Sequence, residues 1–246
     1  MDWQPVDPRS WDLQLREHIA WLSRGRTGAG RIVLERPDFL RADLHGLRLA
    51  GARLVEPRME GASLTGSDLS GTEIADGRMA RLRLVTANVG GARWSGCALD
   101  AASGDLASFA EANLERCDLS RASLRRTSWV GATLGECRFD DADLTDSCWD
   151  RSRVTDTSLR GARLPRVDGR EHDPRGSARG AVFTGCDLRG ADVSRLRLGD
   201  TLFVRCRVGG MVGAPTLLGD VAFEHCDRGT DTPDVGGGGA AWLGWT

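Results

Sequence analysis

The sequence predicts an all-β solenoid, a square coil of about twenty residues per turn stacked into a rod, and two periodic observations carry that expectation. From Phe39 to Leu164 every fifth residue is large and apolar at 25 of 26 positions, with Gly104 the exception. Two residues earlier stands a small residue in 22 of the 26 units, the exceptions being Pro37, Leu47, Pro57 and Leu82. A period of five suits neither regular element. On an α-helix five residues advance the chain about 140° beyond a full turn, so the large residues would spiral around every side. On a flat strand, residues five apart face opposite ways. A corner in every unit keeps each large residue facing one axis, and four corners close one coil.

The units themselves carry a resemblance. Ala42-Asp43-Leu44, Ala112-Asn113-Leu114 and Ala142-Asp143-Leu144 repeat a small residue, Asp or Asn, then Leu. In this the chain resembles the pentapeptide-repeat family, over roughly residues 32–226. The resemblance implies a right-handed quadrilateral parallel β-helix with the large and small residues both pointing inward.

The elements follow in order. Residues 1–31 form an N-terminal segment in which Asp7 caps a helix and Pro8 occupies its first turn. Trp11, Leu15, Ile19 and Leu22 make a helical stripe and Gly25 is the stop, so residues 8–24 read as a short amphipathic helix covering the first coil. His18 on this helix and His45 at an outward repeat position are expected to be solvated. Residues 32–166 are the first repeat block. The step from Leu164 to Phe183 is not a multiple of five, so a loop is inserted, placed at 167–180. Residues 181–228 form the second block: Phe183, Leu188, Val193, Leu198, Phe203, Val208, Leu218 and Phe223, with Gly213 the weak member. Together the blocks give about nine coils, roughly 43 Å at ~4.8 Å per coil. Residues 229–246 are a Gly-rich linker and an apolar tail, in which Trp242, Leu243 and Trp245 are assigned a dimer contact, with folding back over the last coil as the alternative.

Residues twenty apart should stack. Phe109, Trp129 and Trp149 then form one inward column and Phe183, Phe203 and Phe223 another. Cys97, Cys117 and Cys137, and Cys186, Cys206 and Cys226, fall at the small inward position as core fillers. On the outside Arg116 meets Glu136, Arg121 meets Asp141 and Arg126 meets Asp146, a ladder of opposite charges. Cys148 falls at an outward position and is expected to be reactive.

Composition narrows the function. All 33 basic residues are Arg and the net charge is −2, so no global field points to nucleic acid or an acidic membrane. The start lacks a basic segment followed by an apolar core and no apolar run is long enough to span a bilayer, so the chain is expected to be soluble and cytoplasmic, with reduced thiols. Gly-x-Ser-x-Gly is absent, and without any lysine there is no P-loop. Glu224-His225-Cys226 and Glu171-His172-Asp173 carry ligand-type side chains but lack the paired spacings of a metal site. Carboxylates on a convex rod stay solvated. The expectation is no catalytic residue, no metal, no cofactor, and a binding protein rather than an enzyme.

Two surface features are candidate partner-binding sites. The first is the loop with Arg166, Asp168, Arg170, Glu171, His172, Asp173 and Arg175. The second is an acidic strip of Glu136, Asp140, Asp141, Asp143, Asp146, Asp150 and Asp156. The resemblance implies a partner: its well-understood members are rod-shaped dimers, joined through their C-terminal ends, that occupy the DNA-binding saddle of DNA gyrase or topoisomerase IV and protect it from antibiotic poisons. The chain departs from that pattern by placing Arg at many unit positions where the family has Asp or Asn, among them Arg48, Arg53, Arg58, Arg78, Arg83 and Arg93. The expectation is therefore partial DNA mimicry plus a projecting loop; the alternative is a protein-interaction scaffold or immunity factor with another partner. A continuous acidic face favours the first and mixed charge the second.

Overall fold

Each five-residue unit turns a corner because the residue two after the large one takes a left-handed backbone. Arg41, Glu56, Arg81, Arg116 and Asp141 have φ of 54°, 48°, 58°, 50° and 58°. At many corners the amide that follows closes a tight turn, as Ala42 N donates to Phe39 O at 2.9 Å and Ala62 N to Met59 O at 3.0 Å. A β-turn with positive φ at its third residue has this geometry. Between corners the chain is extended and pairs with the coil above: Leu44 N donates to Ser63 O at 2.8 Å and Ser63 N to Ala42 O at 2.9 Å.

The computed structural model describes residues 3–164, 177–194, 196–213, 215–217 and 220–227, and the backbone of 240–243. In chain order these hold β1 (Gln4–Pro5), α1 (Pro8–Ser23), β2 (Val33–Glu35), β3 (Pro37–Asp38), β4 (Arg53–Val55), β5 (Glu73–Ala75), β6 (Arg93–Ser95), β7 (Asn113–Glu115), β8 (Thr133–Gly135), β9 (Arg153–Thr155), β10 (Val182–Thr184), β11 (Arg197–Leu198), β12 (Thr201–Val204), β13 (Thr216–Leu217), β14 (Val221–Glu224) and β15 (Ala240–Leu243). The first wall of the rod is an eleven-stranded parallel sheet running β2-β4-β5-β6-β7-β8-β9-β10-β12-β14-β15. The three other walls are mostly ladders of single parallel bridges, such as Asp43↔Ser63 on the third and Asp68↔Asn88 on the fourth, with short two-stranded pairings β1-β3 on the second and β11-β13 on the fourth. The chain is a four-walled parallel β-solenoid of about nine turns.

The shaft is filled as the periodicity requires. Leu64, Leu99, Leu114, Trp129 and Leu144 are at most 1 % exposed. Phe109 stacks on Trp129 with ring centroids 4.3 Å apart, and Trp129 on Trp149 at 5.2 Å. Phe183, Phe203 and Phe223 stack at 5.0 and 4.7 Å in the sheet column. Buried indoles need acceptors, and hydroxyls at the small position supply them. Trp129 Nε1 donates to Thr127 Oγ1 at 2.9 Å, Trp149 Nε1 to Ser147 Oγ at 2.7 Å, and Trp94 Nε1 to Thr72 Oγ1 at 3.0 Å. At Gly104 the space is taken from the next coil: a Cβ there would meet Leu124 Cδ2 at 3.0 Å.

Two irregularities mark the second block. Val154 pairs with Phe183 and Arg163 bridges Asp192, so nine extra residues enter without disturbing the stacking. The coil resumes at Ser177, which bridges Arg197, and not at 181; Ser177–Gly180 already belong to the rod. Ala178 stands where the Trp149 column needs a bulky side chain, leaving a void of about 10 Å³ among Trp149, Leu159, Leu164, Phe183 and Leu196. Further on, Leu198 pairs with Leu217, a step of nineteen, before Phe203 and Phe223 restore twenty. Leu217 therefore takes the stacking place expected of Leu218, which lies outside the described residues.

Helix α1 covers the first coil. Asp7 is its N-cap, its carboxylate accepting from Ser10 N at 2.9 Å. Trp11 packs on Phe39 at 5.2 Å and Trp21 is 6 % exposed. Two expectations for the helix need correction. Ile19 is 37 % exposed, and His18 is not solvated but fully buried, stacked on Trp21 at 5.2 Å. His18 Nδ1 accepts from Ile32 N at 3.1 Å, so this face of the helix carries a polar pin into the first coil where an apolar stripe predicts an aliphatic one. Burial is the main cause holding the imidazole below its ordinary pKa, opposed by the Ala50 and Leu49 carbonyls and reinforced by Arg31 and Arg26. At the other end β15 pairs with β14, placing residues 240–243 on the last coil.

Candidate interaction surface

With the shaft filled, function has only the outside to use. On each wall the outward residues are the one before the large residue and the two after it. Their charges alternate and pair between coils. Arg58 lies 3.2 Å from Asp38 and 4.0 Å from Glu60, which also holds Arg78 at 3.1 Å. Trp3 lies against this group, with the Arg58 and Arg78 guanidinium carbons 5.4 and 4.9 Å from its ring centroid and its Nε1 donating to Glu56 O at 3.2 Å. Asp187 gathers Arg189 at 2.6 Å and Arg160 and Arg207 at 4.0 Å. Each exposed pair stabilises by about 0–1 kcal/mol. The fourth wall differs: Asn88, Ser108 and Ser128 follow one another up its ladder with Gly71, Gly91 and Gly131 at its corner.

The acidic candidates are not brought onto one face. Glu136, Asp141, Asp146 and Asp156 sit at left-handed corners, with φ of 51°, 58°, 60° and 48°, and the seven residues wind once around all four walls, Asp156 standing one coil beyond Glu136. Most have basic or hydroxyl neighbours. Asp143 lies 4.0 Å from Arg125 and 3.9 Å from Arg163, Asp140 lies 3.7 Å from Arg138, and Asp146 lies 3.6 Å from Arg126. Asp140 also accepts from the Ser158 hydroxyl, and Asp150 accepts from Ser177 Oγ and Arg179 N at 2.7 and 2.8 Å. The twenty-residue register of the charge ladder holds in the backbone, since Arg116 N, Arg121 N and Arg126 N each donate to the coil carrying Glu136, Asp141 and Asp146. The side chains choose other partners twice: Arg121 reaches Asp100 at 2.6 Å and Arg116 turns to Glu115 at 3.5 Å, leaving Arg126–Asp146 as the ion pair of the expected three. Long side chains at corners splay away from the wall, so stacking of backbones does not dictate pairing of their ends.

The loop candidates Arg166, Asp168, Arg170, Glu171, His172, Asp173 and Arg175 lie outside the described residues, as does Trp245. Trp242 and Leu243 are placed by backbone alone, opposite Phe223 and Glu224 in β15.

The thiols are structural. All seven cysteines are free and buried, including Cys148, which is 8 % exposed and not the accessible thiol its position suggests. Ser177, arriving from the insertion, covers it: Cys148 Sγ lies 3.7 Å from Ser177 Oγ, and burial pushes its pKa up. The columns occupy corners after the first wall, where Cys117 Sγ donates to Trp94 O, Cys137 Sγ to Leu114 O and Cys206 Sγ to Phe183 O at 3.5, 3.5 and 3.3 Å. His45 is exposed, with Nδ1 2.9 Å from Asp43 Oδ1. Among the described residues no group of His, Cys, Asp and Glu is placed to hold a metal ion, and no helix is long and apolar enough to cross a membrane.

The family model for pentapeptide repeats matches this chain in eight copies, over residues 38–74, 83–121, 117–148 and 137–168, together half of its length. The chain belongs to the pentapeptide-repeat family. No curated protein matches it by sequence. Solved pentapeptide-repeat structures that it is similar to include HetL, involved in heterocyst differentiation regulation in the cyanobacterium Nostoc sp. strain PCC 7120. That likeness has 20 % identity over 85 % of this chain and 94 % of HetL, at a TM-score of 0.38. Full-length QnrB1, a plasmid-mediated fluoroquinolone resistance protein, is similar at 14 % identity over 88 % of this chain and 91 % of QnrB1, at a TM-score of 0.37.

Proposed function

We propose that this pentapeptide-repeat chain is a non-catalytic binding protein that docks a protein partner on its outer walls. The observation that supports the reading is the wall chemistry. Positive and negative side chains alternate coil by coil and pair with each other, on flat surfaces repeated at ~4.8 Å. Such a surface presents shape and local charge pattern rather than a uniform field, which suits a protein face of matching pattern better than a nucleic acid. Photo-crosslinking residues placed at Asn88, Ser108 and Ser128 on the fourth wall, and at Arg93, Thr133 and Arg153 on the first, test this in living cells. The expected result is one adduct mass recurring on adjacent coils of one wall. Adducts spread evenly over both walls, or none, contradict it.

A second reading, a type II DNA topoisomerase as the partner, is favoured by the insertion. Nine residues enter between Leu164 and Ser177 without breaking the stack, the arrangement expected of a recognition loop carried by a rigid rod. Here the rod, soluble and cytoplasmic, presents no acidic face, so the contact falls to the inserted segment rather than to DNA mimicry by residues 136–156, and QnrB1's role in fluoroquinolone resistance extends to this chain. The same reading makes the protein a homodimer through its C-terminal end, around Trp242, Leu243 and Trp245. Supercoiling and cleavage by purified DNA gyrase, with and without a fluoroquinolone, decide it: relief of drug inhibition supports the reading, and unchanged supercoiling, cleavage and drug sensitivity remove it while leaving the wall-docking reading standing.

A further inference from the structure

Among the described residues, the N-terminal end of the rod leaves one strand edge open. β2 is the terminal strand of the eleven-stranded sheet, and its described partner is β4. Arg53 N donates to Ile32 O and Arg36 N to Val55 O, so the Ile32 carbonyl, the Leu34 peptide groups and the Arg36 N–H face β4, while Ile32 N donates to His18. Alternation along a strand then turns the N–H and C=O of Val33 and Glu35 the other way. The neighbouring edge is covered, because β1 pairs with β3, and α1 packs over the shaft through Trp11. At β2 there is instead a cleft of about 260 Å³, lined by Gln14 and Glu17 of α1 and by Gly30, Arg31, Ile32, Val33 and Leu34. Leu34 is only half-buried and Val33 is 52 % exposed, whereas Leu54 and Ile74, next in the Leu34 column, are 3 % and 2 % exposed.

Two charged side chains line the cleft, Glu17 and Arg31, and Glu35 stands just beyond it on β2. Glu17 and Glu35 are exposed, and neither has an ion pair among the described residues. Arg31 is already engaged, with Glu73 at 3.0 Å and with Gly51 O at 2.6 Å. Unpaired strand edges are templates for an added strand, and the pockets beside them read alternate side chains. We propose that the edge of β2 is a docking slot for an extended segment of a partner protein, apolar at the residue that stacks on Leu34 and basic on either side, where it meets Glu35 and Glu17. The incoming strand extends the parallel sheet by one, takes its backbone hydrogen bonds from Val33 and Glu35, and completes the burial of Leu34. The slot lies at the end of the rod and does not rest on the wall docking proposed above.

Fluorescence polarisation with the labelled peptide Val-Arg-Leu-Arg-Val and its counterpart Val-Glu-Leu-Glu-Val tests the slot. The full chain is expected to bind the basic peptide at least about tenfold more tightly than the acidic one. Val33→Pro removes an N–H that faces the cleft and none that faces β4, a place where edge strands accept proline. It is expected to weaken binding about tenfold, the share of one lost hydrogen bond, with an unchanged circular dichroism spectrum. Glu35→Arg is expected to reverse the preference, and it decides the matter if Val33→Pro misfolds. No saturable binding of either peptide, equal affinity for parent and Val33→Pro, or a preference that survives Glu35→Arg overturns the proposal. So does self-association that Val33→Pro abolishes while the peptides do not bind, which assigns the edge to a second copy.

Discussion

Replacing Thr127 by valine isolates one layer of the shaft. Thr127 is 2 % exposed; its hydroxyl donates to Leu124 O at 2.7 Å and accepts from Trp129 Nε1 at 2.9 Å. Valine keeps the shape and deletes the hydroxyl, so Thr127→Val strands one buried acceptor and one buried donor. Each orphan costs about 1–3 kcal/mol, giving about 2–6 kcal/mol for the pair. At about 2–4 °C per kcal/mol for a chain of this size, Tm should fall by about 4–24 °C. Thermal unfolding followed by far-ultraviolet circular dichroism reads this directly. The control is the same change in a Trp129→Phe background, where no indole N–H remains to be orphaned and about half of the loss should disappear. A Thr127→Val protein within about 2 °C of its parent, or an equal drop in both backgrounds, refutes the claim that small-position hydroxyls exist to satisfy buried tryptophans.

Further outcomes follow from the same geometry. The seven thiols should resist maleimide in the native protein and react after unfolding; labelling of Cys148 in the folded chain contradicts its burial under Ser177. Gly30 has φ of 109°, and a Cβ there would meet Glu17 O at 2.7 Å, so Gly30→Ala should push α1 off the first coil, a loss of about 1–3 kcal/mol seen as faster amide exchange in the helix. His18 has its folded pKa below the ordinary 6.5, so the unfolded state takes up a proton first as pH falls. The docking of α1 is therefore fully stable above 6.5 and weakens below it. Helix amide exchange at about pH 5.5 should exceed that at about pH 7.5, a difference that His18→Gln, which cannot titrate, should abolish. Deleting residues 240–246 should halve the mass by light scattering if the C-terminal end joins two copies, and an unchanged mass removes that contact.

Much of this architecture was legible because it follows from one period. A large residue every five and a small one two before it name the shaft and the stacking columns, and Asp7, Pro8 and a helical stripe name the cap. The failures share a physical origin: they concern where side-chain ends go once the backbone is placed. Arg121 and Arg116 stand in the expected register but pair with Asp100 and Glu115, because a corner residue can lean along the coil or back toward the previous one. The acidic residues from Glu136 to Asp156 look continuous in the chain yet spread over four walls, since five residues of sequence are a quarter turn of the rod. Cys148 and His18 are buried where exposure is expected: Ser177 is brought over Cys148 by a register that the insertion shifts, and His18 stacks on Trp21 and accepts from Ile32 N before the first repeat unit, contacts that the period does not describe. The hydroxyls of Thr72, Thr127 and Ser147 had a readable signal: each serves a tryptophan two positions on or in the coil above.

The claim on which the rest depends is that one coil takes twenty residues, so that position along the rod is proportional to position in the chain. Nitroxide labels at Asp43→Cys and Arg163→Cys, both exposed on the third wall, measure it by pulsed electron spin resonance; the native thiols are buried. Six coils apart, the labelled positions should lie at about 29 Å, and moving the second label from residue 163 to 143 should shorten the distance by about 4.8 Å. A distance that does not fall by one strand spacing for each twenty residues contradicts the coil, and with it every surface described above.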